Sequence, residues 1–290
     1  MTWREVIARG GDYLVAKGID DGCAAVEFLA ARLLHVNRGM LASHLEASPD
    51  QIRLDAMRRG VKRLANNEPL QYILGEWDFR SLTLKCDKRA LIPRPETEGL
   101  VSLALDFLTK RQRQQPAGKP PFIVDVGTGT GAIALSLAKE LPFQSIIIAT
   151  DVSSDALSLA KENAVKTGLV DKVRFVAMDG LDDFDEPGII DLIISNPPYI
   201  TTSEMARLES RVADYEPRIA LDGGPEGLNF YDRYLGDALN LLAPGGAVCF
   251  EIGAGQGEAL KQLLGAYGFG EISISKDLAD NDRYAFGVLA

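Results

Sequence analysis

The chain has 290 residues, 46% of them hydrophobic and 25% charged, with a formal net charge of −10. That size suits one large soluble domain plus a small one, and no stretch approaches the ~18 apolar residues that a bilayer span needs. The charge is uneven: residues 1–75 carry 10 Lys+Arg against 9 Asp+Glu, and the other 215 carry 21 against 32. The larger part therefore lacks the basic surface with which a general nucleic-acid binder neutralises phosphates. Met1–Glu5 has no apolar run behind a basic head, so no secretion signal is expected. Cys23, Cys86 and Cys249 are odd in number and far apart, which fits a reducing cytoplasm. The two histidines, His35 and His44, lie outside the motif-bearing part, so no metal site is expected.

In chain order, the first 70 residues read as helices. Val26, Leu29, Leu33 and Val36 recur at helical spacing, as do Leu54, Met57, Val61 and Leu64. Asp20 or Asp21, and Asp50, are suitable N-caps. The basic stripe Arg53, Arg58, Arg59, Lys62 and Arg63 reads as a solvated helix face. A β-prone stretch from Trp77 to Leu84 predicts a hairpin, and a helix is expected from about Glu96 to Thr109. Lys110 to Pro121 is rich in Lys, Arg, Gln and Pro and reads as a solvated connection. The expected division is 1–75 as a helical domain and 76–290 as the hairpin plus the larger domain.

From Phe122 the pattern alternates between strand and helix. Strands are predicted at Phe122–Val126, Ser145–Thr150, Val173–Ala177, Ile190–Ser195 and Ala247–Ile252, with helices such as Ala132–Glu140 and Ser154–Lys166 between them. Several strands are continuous apolar runs, as parallel strands buried on both faces should be. The fold class is therefore α/β, a doubly wound, mostly parallel Rossmann-like sheet beside a small helical bundle.

Asp125-Val126-Gly127-Thr128-Gly129-Thr130-Gly131 leaves the first strand and opens a helix. Glycines allow a tight turn and a close ligand approach, at the strand ends where open α/β sheets bind ligands. Asp151 ends the second strand, where its carboxylate can accept from both hydroxyls of a ribose. Gly127, Gly129 and Ala132 also satisfy the dinucleotide pattern, so the loop points to a nucleoside-containing cofactor without choosing between NAD and S-adenosylmethionine. Asp179-Gly180, after the third strand, is a candidate adenine contact.

Ser195-Asn196-Pro197-Pro198-Tyr199 leaves the fourth strand beside that crevice. An amide nitrogen is a poor nucleophile because its lone pair is delocalised into the carbonyl. An enzyme that methylates it must accept both N–H groups, and the Asn196 side-chain oxygen and the Pro197 carbonyl are suited to that. The two prolines, Pro197 and Pro198, stiffen the loop, and the Tyr199 ring offers a flat face to a planar amide or base. Asn196–Tyr199 are the candidate catalytic and substrate-binding residues, and orientation with electrostatics is the expected source of rate.

These segments together resemble the bacterial release-factor glutamine N5-methyltransferase family, also called HemK or PrmC. Gln71–Gly75 is similar to its interdomain segment, and Leu91-Ile92-Pro93-Arg94-Pro95-Glu96-Thr97-Glu98 to its pre-catalytic motif. Tyr215-Glu216-Pro217-Arg218, Gly223–Leu228, Glu251–Gly253 and Gln256-Gly257 resemble segments around its active site. The resemblance implies S-adenosylmethionine at Gly127, Thr128, Gly129, Thr130, Gly131 and Asp151, near Asp179, Gly180 and Asn196. It implies Arg94 and Glu216 as further substrate-binding residues. The implied substrate is the Gly-Gly-Gln glutamine of class-1 release factors, held in part by residues 1–75. A monomer acting in the cytoplasm, without stable nucleic acid or membrane, is expected. Gly180 departs from relatives that often carry a larger side chain there. The alternatives are an amino methyltransferase acting on adenine or guanine in nucleic acid, a non-catalytic S-adenosylmethionine sensor, and an NAD-dependent oxidoreductase.

Overall fold

The computed structural model describes residues 1–114 and 119–289. It divides into two compact units, Met1–Glu76 with Glu209–Tyr215, and Trp77–Leu208 with Glu216–Ala290.

The first unit contains α1 (Trp3–Val15), α2 (Gly22–Leu34), α3 (Gln51–Ala65), α4 (Leu70–Leu74) and the single turn α8 (Ser210–Ala213). Thr2 and Glu5 form a reciprocal capping box at the start of α1, and Asp50 caps α3 by accepting from Arg53 N. Asp21 occupies the cap of α2 without a side-chain bond to the helix's own N–H groups. α2 ends before Val36 because His35 turns into the left-handed region, φ 56°. Trp3, Leu14, Val26, Leu29, Met57 and Leu64 share the core. In the basic stripe, Arg53, Arg58 and Arg63 pair with Asp50, Asp55 and Glu68, as expected of a solvated face. Tyr215 Oη donates to the Asn66 carbonyl at 2.9 Å, and Arg211 reaches Asp21 at 3.3 Å, which holds the 209–215 segment to this unit.

The second unit opens with a hairpin, β1 (Glu76–Phe79) and β2 (Leu82–Lys85), followed by α5 (Thr97–Gln114). It continues with β3 (Phe122–Val126), α6 (Ala132–Glu140), β4 (Ile146–Asp151), α7 (Ser154–Thr167), β5 (Arg174–Ala177) and β6 (Ile190–Ser195). Then come α9 (Asn229–Leu241), β7 (Leu242–Glu251), α10 (Gly257–Ala266), β8 (Phe269–Lys276) and β9 (Asp282–Leu289). Among the described residues the sheet has seven strands in the order β5-β4-β3-β6-β7-β9-β8, all running in one direction except β9, which pairs antiparallel with both β7 and β8.

Alternation along the buried strands fills both faces. Ile123, Leu192, Ile194 and Cys249 join the core under α5, α6 and α7. Val124, Ile193, Val248 and Phe250 join the core under α9 and α10. Burying each such side chain stabilises the unit by about 1.5–3 kcal/mol.

Two expectations shift. The helix predicted to stop near Thr109 continues to Gln114, into the supposed connection. Its last turn is basic but not merely solvated: Arg111 donates to buried Asp191 at 2.7 Å and to the carbonyls of Pro244 and Gly245. Part of that connection, 115–118, lies outside the described residues. The antiparallel pair β8 and β9 carried no sequence prediction. Among the described residues, no helix is long and apolar enough to cross a membrane.

Candidate active site

The strand order reverses between β3 and β6, and beyond their carboxyl ends lies a cavity of about 430 Å³ formed within the second unit. That volume is in the range of small-molecule sites. Gly127, Thr128, Gly129, Thr130, Asp151, Asp179, Gly180, Asn196, Pro197, Pro198 and Arg94 all line it.

One wall is the loop after β3. Gly127, Gly129 and Gly131 have φ of 71°, 55° and 83°, the left-handed region that favours glycine. Thr128 N donates to the Thr150 carbonyl at 2.9 Å, pinning the loop to the neighbouring strand. Asp151 Oδ2 accepts from Gly129 N and Oδ1 from Ser153 N, both at 2.9 Å. Each oxygen therefore has one backbone donor and a free lone pair, a pair of acceptors that fits two vicinal ribose hydroxyls. Burial raises the Asp151 carboxyl above its ordinary value, against the two backbone bonds. Asp125, one strand inward, accepts from Thr128 Oγ1 at 2.6 Å and Ala134 N at 3.1 Å. Its complete burial pushes it up to about 7.

Asp179 and Gly180 follow β5. The Asp179 carboxylate is held by Arg233 at 2.8 Å, so it faces the cavity as half of an ion pair. At Gly180, φ is 64°, and an added Cβ would lie 3.0 Å from the Tyr234 ring. Tyr234 thus fills the space that a larger residue 180 would take.

Asn196 lines the same cavity. Its Nδ2 donates to Thr97 Oγ1 at 3.1 Å, and Thr97 Oγ1 donates to Glu251 Oε2 at 2.6 Å. Asn196 Oδ1 has no hydrogen-bond partner among the described residues. Arg94 is fixed by Glu216 at 2.5 Å, and the other Glu216 oxygen accepts from Ile92 N at 3.2 Å.

Gly131, Tyr199 and Glu216 are not among the lining residues. Gly131 caps α6 behind the loop, where an added Cβ would meet Leu135 at 3.1 Å and Ala160 at 3.3 Å. Tyr199 packs into the core under α9, and burial raises its phenol to about 12. Glu216 is buried beneath the Ile92–Arg94 segment, so it reaches the cavity only through Arg94.

Comparisons with known proteins agree with this geometry. A family described as PrmC N-terminal domain matches residues 5–75, and one described as Methyltransferase small domain matches 104–212. A release factor glutamine methyltransferase of Moorella thermoacetica is 37% identical over 98% of this chain and 97% of its own length. One from Rhodopirellula baltica is 35% identical over 94% of this chain and 91% of its own length. The chain belongs to the release factor glutamine methyltransferase family. The catalytic domain of human METTL16, solved with an RNA hairpin, shares its fold at a TM-score of 0.57, with 17% identity over 83% of this chain and 82% of that one.

Several residues of this family member escaped sequence reasoning. Thr97 and Glu251 stood only inside quoted segments, with nothing to indicate that they meet. Gln256 Nε2 donates to the carbonyls of Tyr199 and Gly227, and its Oε1 accepts from Gly253 N. One amide thus ties the end of the Asn-Pro-Pro-Tyr segment to two other loops. An added Cβ at Gly223 would fall 2.6 Å from the Pro198 carbonyl, and at Gly227 2.3 Å from that of Tyr199. The 223–228 glycines let that loop lie directly on the Pro198–Tyr199 backbone.

Proposed function

We propose that the chain transfers a methyl group from S-adenosylmethionine to the side-chain amide nitrogen of a glutamine, the one in the Gly-Gly-Gln motif of peptide chain release factors. The observation that carries this reading is the position of Asn196: it lines the same cavity as Gly127–Thr130, and its amide oxygen has no hydrogen-bond partner among the described residues. Gly127–Thr130 and Asp151 hold the nucleoside, with the ribose on Asp151. Asp179 and Gly180 lie beside the base, against Tyr234.

Asn196 Oδ1 and the Pro197 carbonyl each accept one N–H of the substrate amide. This turns the nitrogen lone pair toward the donor and withdraws it from conjugation with the carbonyl. Pro198 has no N–H to compete for a nearby acceptor. Arg94, braced by Glu216, borders the same space and binds the substrate. Bound S-adenosylmethionine supplies an electrophilic methyl on a sulfonium that leaves as a neutral thioether. The methylated nitrogen releases one of its two protons to solvent, and the protein's part is to orient the amide and to bear the charge that develops on its nitrogen.

A Gly-Gly-Gln tripeptide gives little surface for selection. Residues 1–75 are the proposed dock for the rest of the factor, and such remote binding also positions the amide. This reading puts the chain in the cytoplasm, where release factors act.

The test is incubation with methyl-labelled S-adenosylmethionine and an intact release factor, with a Gly-Gly-Gln peptide and with DNA, followed by mapping of the label. Label is expected on the one glutamine side chain, with the intact factor far ahead of the peptide. Label on DNA alone would contradict the reading, and equal efficiency on factor and peptide would contradict the docking role.

A further inference from the structure

We infer that Thr97 and Glu251 are positioning residues that set which way the Asn196 amide points. The inference rests on the reading of Asn196 as the acceptor for the substrate amide. A hydroxyl has one proton. At 2.6 Å the Thr97 proton belongs to the Glu251 carboxylate, which ionised has nothing but acceptors to offer. The remaining lone pairs on Thr97 Oγ1 can only accept. The atom of Asn196 that faces Thr97 must then be its NH₂, at 3.1 Å. With the NH₂ turned to Thr97, the oxygen is turned to the cavity. An asparagine free to rotate by half a turn would present either end to the substrate, and the NH₂ end repels the N–H groups it should accept. Thr97 is 5% exposed and Glu251 1%, so no bulk water competes for either contact.

Ionisation of Glu251 controls the direction of the chain of bonds. Its surroundings pull both ways. Burial and Glu96, in the loop before α5, raise its pKa. Thr97, Arg94 in that same loop and Arg283 on β9 lower it, and the group is pushed up to about 7. Tyr199 stands nearby after β6, and Tyr231 on α9 donates to the Glu251 main-chain carbonyl at 2.8 Å. Once protonated, Glu251 can donate to Thr97. Thr97 can then donate to Asn196 Oδ1, which reverses the amide and removes the acceptor from the cavity. Turnover therefore requires the ionised form and falls as the pH drops through the Glu251 pKa.

The test measures kcat against pH, KM for both substrates and melting temperature for Thr97→Val, Thr97→Ser, Glu251→Gln, the double variant Thr97→Val/Glu251→Gln, and Asn196→Ala. Thr97→Val keeps the shape and loses the hydroxyl. It should lower kcat about tenfold, the worth of one lost hydrogen bond, with KM values near wild type and a melting temperature lowered by the loss of the hydroxyl–carboxylate bond. Thr97→Ser should restore most of that loss. The acid limb of the kcat profile should vanish in Thr97→Val and in Glu251→Gln. The double variant should be no slower than the slower single one, because both act through one contact. Wild-type kcat in Thr97→Val, an unchanged acid limb in that variant, or additive losses in the double variant would each overturn the inference while an inactive Asn196→Ala still upholds Asn196 as acceptor. An active Asn196→Ala would overturn both.

Discussion

The two walls of the cavity are built by different means. The wall we assign to the cofactor is local and made of main chain: three glycines within five residues, and a carboxylate fixed by two backbone N–H groups. The wall we assign to the substrate acceptor is long-range and made of side chains. Thr97 meets Asn196 across 99 residues of sequence and Glu251 across 154, and Glu216 meets Ile92 across 124. Backbone donors at a strand end are rigid, as a site that binds the same nucleoside at every turnover needs. Side-chain contacts between four separate segments can place one amide oxygen within a fraction of an ångström, as orientation of a poor nucleophile needs.

This contrast separates the effects of substitution. The largest falls on the acceptor wall. Asn196→Ala should cut kcat by roughly a hundred- to a thousandfold, by analogy with loss of one preorganised contact at other sites. Its affinity for S-adenosylmethionine should change little. Single-turnover kinetics with titration calorimetry on the same protein check both halves, and an Asn196→Ala enzyme of near wild-type rate would erase the distinction between the walls. Asp151→Ala should do the reverse. Loss of the ribose acceptor should weaken S-adenosylmethionine binding by about 1.5–3 kcal/mol, the range for hydrogen bonds to charged groups. At saturating cofactor its kcat should approach wild type. Calorimetry that finds unchanged affinity would move the ribose elsewhere in the cavity.

The same contrast explains what could be read from sequence. The cofactor wall was legible because its parts are contiguous: β3 and β6 begin and end where the apolar runs do, and the glycines sit between strand and helix. Asn196 stood out for the same reason, directly after the end of a strand and before two prolines. The partners of Asn196 were not. Thr97 is one more polar residue at the start of a helix, and Glu251 ends a strand with no periodic signal to mark a buried acid. Tyr199 was read as a flat face for the amide; its partly buried ring also packs against the core under α9 and α10, a contact that the motif did not indicate. The last turn of α5 looked solvated because its residues are charged, and only the tertiary contact of Arg111 with buried Asp191 shows why it stays helical. β8 and β9 were missed because β8 is the edge strand and half exposed, so its apolar pattern is weak.

The most direct measurement is the crystal structure of the enzyme with S-adenosylhomocysteine and a Gly-Gly-Gln peptide. The account predicts the glutamine side-chain nitrogen about 2.7–3.2 Å from both Asn196 Oδ1 and the Pro197 carbonyl, with its open face toward the sulfur. A glutamine whose carbonyl oxygen, not its nitrogen, faces Asn196, or one that contacts neither acceptor, would contradict it.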